Sequence, residues 1–176
     1  GELVRQALTC PDPEDWLEQL QYAAHHYAGF NLLVVTPETL WHMHRGREKI
    51  ALGRVNEGIH VLSNADLNTP WPKALDLQKA MHADRQTPST HWPQAALTAI
   101  QQSQEAPPEA VPDTGIAPAL EKKLSAAFIV GESYGTRATT WLTCYRNGLL
   151  SITEQSFGAM AVPKDEIKLT LETAWT

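Results

Sequence analysis

Two short polar stretches hold the residues best suited to chemistry. In Leu62-Ser63-Asn64-Ala65 a polar pair follows an apolar run and precedes a loop bounded by prolines. A side-chain amide placed there could donate to a developing oxyanion while the element behind it keeps it rigid. An asparagine at a turn can equally spend its amide on its own backbone. The second stretch, Tyr134-Gly135-Thr136-Arg137-Ala138-Thr139-Thr140, is rich in donors at the head of an expected strand. Arg137 could bind a carboxylate or phosphate through two parallel N–H bonds, or hold a buried carboxylate. A surface arginine at a loop edge would look the same in the sequence.

Histidines and cysteines come next. His42 and His44 lie two apart, so on a strand they share a face and could both reach a metal or a haem iron. No third ligand is evident beside them, and solvated histidines at a strand end are the expected reading of the pair. His25 and His26 are adjacent on a helix and are expected to point apart. Cys144 sits in an apolar strand pattern and reads as a small buried hydrophobe, and Cys10 precedes Pro11. The chain has no His-Glu-x-x-His, no paired-cysteine metal spacing, no phosphate-cradling glycine loop and no Gly-x-Ser-x-Gly elbow. In Gly131-Glu132-Ser133-Tyr134-Gly135 one residue too many separates the serine from the second glycine.

The elements that must position these groups can be placed from periodicity and punctuation. Residues 2–9 read as a helix closed by Pro11. Asp12-Pro13-Glu14-Asp15 then opens a second one, with Asp12 as cap, Pro13 at the first position and acids in the first turn. Trp16, Leu17, Leu20, Ala23 and Ala24 form its apolar face, and Gly29 ends it. The period changes at Phe30. Strands are expected over 30–35, 40–44, about 50–55 and 59–63, a meander with turns at Thr36–Thr39, Arg45–Glu48 and Asn56–Gly58. Helices follow over 73–83, with Leu75, Leu77 and Met81 inward, and from His91 or Trp92 to about Gln102. Residues 103–118 are too rich in proline for a regular element. A short helix over 121–127 leads to strands over 139–145 and 149–157 around Arg146-Asn147-Gly148, and 166–171 alternates as a closing strand. Helices outside antiparallel sheets make an α+β protein.

The totals bound the function classes. With 176 residues, 43% hydrophobic and 19% charged, the chain reads as a single globular domain, 1–176. Its formal charge of −6, from 20 acidic and 14 basic residues, argues against a nucleic-acid partner. No apolar run is long enough for a transmembrane segment. The two cysteines form no disulfide framework, and a reducing, cytoplasmic setting is the expectation. The first residue is Gly1, and the opening helix begins without a cap, as though the N-terminal part were missing.

The two polar stretches carry a resemblance. The chain resembles the transport-and-Golgi-organisation-two family, also named after its Asn-Arg-Asp-Glu motif. The matching residues are Gly1-Glu2-Leu3-Val4, Gly29-Phe30-Asn31-Leu32-Leu33, Gly58-Ile59-His60, Leu62-Ser63-Asn64-Ala65, Leu67 through Lys73, Pro112-Asp113-Thr114-Gly115, and Tyr134-Gly135-Thr136-Arg137 with Thr139-Thr140. The resemblance implies an N-terminal-nucleophile hydrolase fold, a four-layer αββα sandwich with antiparallel sheets. It also implies a preceding segment with Met-Cys, Asn-Arg-Asp-Glu and Gly-Gly-Thr-Trp motifs, absent from this sequence and a natural partner for it. In such hydrolases the N-terminal Cys attacks an amide. Asn64 matches the asparagine that supports the oxyanion, and Arg137 the arginine that steadies the nucleophile. The expected reaction is hydrolysis of a non-peptide C–N bond in a small-molecule substrate, with no cofactor. The alternative is a non-enzymatic protein that binds or traffics haem or an acyl lipid, with His42, His44 or His60 as iron ligands. If the N-terminal part were removed from the folded protein, sheets would lack strands and expose an apolar face.

Overall fold

A computed structural model of the chain describes residues 1–87 and 92–172. It is mixed α/β, with five α-helices and two three-stranded antiparallel sheets among the described residues. The chain divides into two compact units, 1–70 and 71–176.

The first unit opens with α1 (Glu2–Thr9) and α2 (Pro13–Ala23). The Asp12 carboxylate accepts from the backbone N–H groups of Glu14 at 2.9 Å and Asp15 at 3.1 Å, the cap its sequence position called for. A 3-10 turn over Ala24–His26 then brings the chain to β1 (Phe30–Val35), β2 (Leu40–Arg45) and β3 (Ile50–Val55), paired in that order. Register places Asn31 opposite His44, and Leu33 opposite His42. One face, with Val34 and Met43, packs on Leu17, Leu20 and Ala24 to form the core of this unit. Arg54 on β3 also meets Glu14 on α2 at 3.0 Å.

The fourth strand expected over 59–63 does not form. Asn68 takes those backbone groups instead: its Oδ1 accepts from Val61 N–H at 3.1 Å, and its own N–H donates to the Val61 carbonyl at 2.8 Å. A clip of this kind satisfies the segment without a ladder, so the meander stops at three strands.

In the second unit α3 (Pro72–Arg85) and α4 (Gln94–Ile100) pack on each other. The expected start of α4 at His91 lies outside the described residues; at Trp92 it is too early, because Pro93 precedes the first helical residue. The inward positions of α3 differ from expectation as well. Ala74 and Asp84 are buried, whereas Leu75 is exposed. Residues 103–117 are irregular apart from one 3-10 turn at Pro108–Ala110. They lead to α5 (Pro118–Leu124), whose buried Glu121 accepts from both the N–H and the hydroxyl of Thr114 at 2.6 Å. Those bonds hold its carboxyl below the usual range.

The second sheet has the order β4 (Ala138–Cys144), β5 (Leu149–Phe157), β6 (Pro163–Glu172). Leu142, Ile152 and Leu169 lie in register across it, as do Cys144, Leu150 and Leu171. This face is apolar, yet Leu142, Ile167, Leu169 and Leu171 are each about half exposed. Cys144, expected to be buried, is exposed there too. No helix among the described residues is long and apolar enough to cross a membrane.

Candidate functional site

On the face of the first sheet opposite α2, Asn31, His42 and His44 project together, because alternate residues of a strand share a side. Both histidines are buried rather than solvated as strand-end residues, so the sequence expectation for them is corrected. The Asn31 Oδ1 lies 2.9 Å from His42 Nε2 and 2.9 Å from His44 Nδ1. Its Nδ2 donates to the carbonyls of Ser63 at 3.3 Å and Ala65 at 3.0 Å. The other ring nitrogen of His42 faces Asp66 at 3.9 Å, and Asp66 is in turn bound by Lys49. Burial pushes the His42 pKa down, with Asp66 opposing and His44 and Lys49 reinforcing the shift. The bond from Lys49 holds the Asp66 carboxyl below its usual range.

Asn64 sits between the two carbonyls that Asn31 holds. It is exposed, and among the described residues its side-chain amide has no hydrogen bond. The turn beyond it is tied by Asp66, which accepts from Leu67 N–H at 2.9 Å through its carboxylate and from the Thr69 hydroxyl at 2.7 Å through its carbonyl. His60, weighed as an iron ligand, has both ring nitrogens engaged: Nε2 lies 2.9 Å from the Asn56 carbonyl, and Nδ1 lies 2.9 Å from Asn68 Nδ2. His25 and His26, expected to diverge, come ring to ring at 3.8 Å in the 3-10 turn, on the exposed surface. Among the described residues no three His, Cys, Asp or Glu side chains group as a metal site.

Arg137 belongs to the second unit, at the residue before β4. Its carbonyl accepts from Phe157 N–H at 2.8 Å, which fixes its backbone to the end of β5. The guanidinium is exposed and makes no ion pair among the described residues. The loop before it is built tightly. Thr136 exchanges bonds with Ile129, its N–H donating to the carbonyl at 2.8 Å and its Oγ1 accepting from the N–H at 2.9 Å. A side chain at Gly135 would come within 2.8 Å of that same carbonyl, which explains the glycine before Thr136 and Arg137. The second unit also contains a cleft of about 290 Å³ whose lining includes Lys73, Asp76, Gln102, Glu105 and Ser125. Lys73 donates to the Leu124 carbonyl at 2.8 Å at the end of α5, and burial lowers its pKa.

The sequence singled out Asn64 and Arg137 but missed Asn31 and Asp66 as parts of a site. Asn31 did leave a signal: it is the polar residue within the apolar run Phe30-Asn31-Leu32-Leu33-Val34-Val35, on the same strand parity that the meander gives to His42 and His44. Asp66 left none, because an aspartate in a proline-bounded loop is ordinary turn chemistry.

Comparison with known proteins accords with these stretches. The homolog of Transport and Golgi organization 2 from Mus musculus is 31% identical over 173 residues, covering 89% of this chain and 61% of its own length. The Transport and Golgi organization protein 2 homologs of Homo sapiens and Bos taurus give the same identity and coverage. The chain thus spans about 61% of the length of the curated relatives it matches. Residues 1–159 match the family model described as Transport and Golgi organisation 2, and the chain belongs to that family.

Proposed function

We propose that this chain is the larger part of a cysteine N-terminal-nucleophile hydrolase acting on a C–N amide bond of a small molecule, with Asn64 as oxyanion donor and Arg137 as the residue that steadies the nucleophile. The observation that carries the reading is the free, exposed amide of Asn64 on a turn whose flanking carbonyls are both bonded. Asn31, Asn68 and Asn147 all use their side chains within the protein. Among the described residues the Asn64 amide, like that of Asn56, is not spent within the protein, which leaves it free to donate to a substrate. A single well-aimed neutral donor of this kind is worth about 10²–10³ in rate where charge develops on oxygen.

In this reading the nucleophile is an N-terminal cysteine outside the 176 residues. Its thiol sulfur attacks the amide carbon, and the α-amine accepts the thiol proton. The carbonyl oxygen gains charge, and Asn64 Nδ2 donates to it. The C–N bond then breaks, the amine leaves with the proton, and water hydrolyses the thioester to the free acid. Arg137, charged at all working pH values, holds the sulfur's negative character without transferring a proton. The same proposal takes residues 1–176 as one portion of a single four-layer αββα domain in a cytoplasmic protein. Two antiparallel sheets, the first with a helix packed on one face, support that architecture.

Intact-mass spectrometry of the native full-length protein, with and without an amide-mimicking electrophile directed at cysteine, tests the reading. One equivalent taken up at a processed N-terminal Cys, and lost on replacing Asn64 or Arg137, is the expected result. A retained N-terminal Met, or a free Cys that takes up no probe, would refute hydrolysis. Titration with haem and with an acyl lipid would then test the carrier alternative.

A further inference from the structure

An exposed donor stabilises an oxyanion only if its backbone is already fixed, because a mobile donor must be ordered at the moment of reaction. Asn64 has no side-chain bond to fix it. Asn68 closes the base of the Asn64 turn through two bonds to Val61, and Asp66 ties the residues after it. Among the described residues, the hydrogen bonds to the Ser63 and Ala65 carbonyls on either side of Asn64 come from Asn31 alone. That side chain comes from the second residue of β1, opposite His44 on the paired strand β2.

The orientation of the Asn31 amide follows from elementary donor and acceptor chemistry. The Ser63 and Ala65 carbonyls can only accept, so Nδ2 must face them and Oδ1 must face the histidines. Each histidine then has to present an N–H: His42 through Nε2 and His44 through Nδ1. The proton that each ring could still gain goes to the other nitrogen, so protonation leaves both bonds to Asn31 intact. Burial disfavours the charged form of His42.

We propose that Asn31 is a positioning residue for Asn64, strapping the peptide groups on either side of it to the first sheet, with His42 and His44 locking the strap in one orientation. The catalytic meaning of the strap rests on the hydrolase reading above; its existence as a device that holds the turn does not. It assigns a role to the half-buried Asn31 and the buried His42 and His44, which the reaction itself leaves unused.

The test is nuclear magnetic resonance on the full-length protein, comparing the parent with Asn31→Asp. Aspartate keeps the acceptor toward both histidines and replaces the donor toward the two carbonyls by a repelling oxygen. In the parent the amides of residues 63–65 should show order parameters near the rigid value of about 0.85, and in the variant below about 0.6. Long-range nitrogen–proton correlation in the parent should find the proton on Nε2 of His42 and on Nδ1 of His44. Unchanged order parameters in the variant overturn the strap, and the opposite tautomers overturn the lock. Should Asn31→Asp not fold, Asn31→Ala deletes the strap without adding charge and is read in the same way. Probe uptake by the full-length protein separates this from the hydrolase reading. If wild type takes up no probe, that reading fails while the order parameters still judge the strap. If replacing Asn64 abolishes uptake and Asn31→Asp leaves it at the wild-type rate, the strap does not position Asn64.

Discussion

Asp84 lies in the last turn of α3, where a negative charge opposes the helix dipole, yet it is only 3% exposed. Its place is explained by the next helix. Oδ1 accepts from Ala95 N–H at 2.9 Å and Oδ2 from Ala96 N–H at 2.7 Å, at the second and third positions of α4. The residue before α4 is Pro93, which supplies no side-chain cap, so Asp84 caps that helix from a distance. Asp84→Ala would leave two backbone donors buried without partners. At about 1–3 kcal/mol for each orphaned group, the loss should be about 2–6 kcal/mol. For a chain of this length about 2–4 °C is lost per kcal/mol, so Tm should fall by about 4–24 °C. Asp84→Asn keeps one acceptor and should lose about half as much. Urea denaturation followed by circular dichroism gives the stability, and hydrogen exchange at Ala95 and Ala96 gives the site. A change within about 0.5 kcal/mol for Asp84→Ala, the size expected of an ordinary surface substitution, would refute the capping argument.

Two more outcomes follow from the same kind of accounting. Burial lowers the folded pKa of His42 below its ordinary value of 6.5, so the unfolded state binds the proton first as pH falls. Stability from this group is complete above pH 6.5 and declines as pH drops toward the folded pKa, with a slope no steeper than about 1.4 kcal/mol per pH unit for one proton. A His42→Gln variant should show a flatter stability profile between pH 6.5 and 5 by urea titration, and an unchanged slope would show that Asp66 offsets the burial in full. The half-exposed apolar face of β4, β5 and β6 predicts concentration-dependent self-association of the isolated chain. Leu169→Thr with Leu171→Thr should lower its light scattering, and equal scattering by parent and variant would count against that face as the sticky surface.

Local chemistry was legible where one residue decided the outcome. Asp12 and Pro13 started α2, and Arg146-Asn147-Gly148 turned β4 into β5, with Gly148 at a positive φ of 80°. Patterns failed where a distant polar group intervened. Asn68 claimed the backbone of a segment that alternated like a strand. Asp84 was buried for the sake of α4, and small Ala74 rather than Leu75 faced inward. Sequence periodicity records which side chains avoid water. It does not record which backbone groups a remote carboxylate or amide will satisfy.

The same limit explains why the sequence drew attention to Asn64 and not to Asn31. A residue that acts on a ligand must end up exposed with its hydrogen-bonding capacity unused, and it sits where punctuation is dense. Asn56 is likewise exposed with no side-chain hydrogen bond among the described residues, so an unbonded amide alone does not make a site. What separates Asn64 is the pair of carbonyls beside it, the half-buried Asn31 that holds them, and the buried His42 and His44 that meet Asn31. Withdrawing these polar side chains from water on one sheet face costs stability unless their donors and acceptors are matched. A sheet that needed only stability would do as well with apolar residues there. The cost is offset by two histidine bonds to Asn31 and by two bonds from Asn31 to the segment that presents Asn64. The arrangement is therefore better explained by the need to fix that segment than by the packing of the sheet.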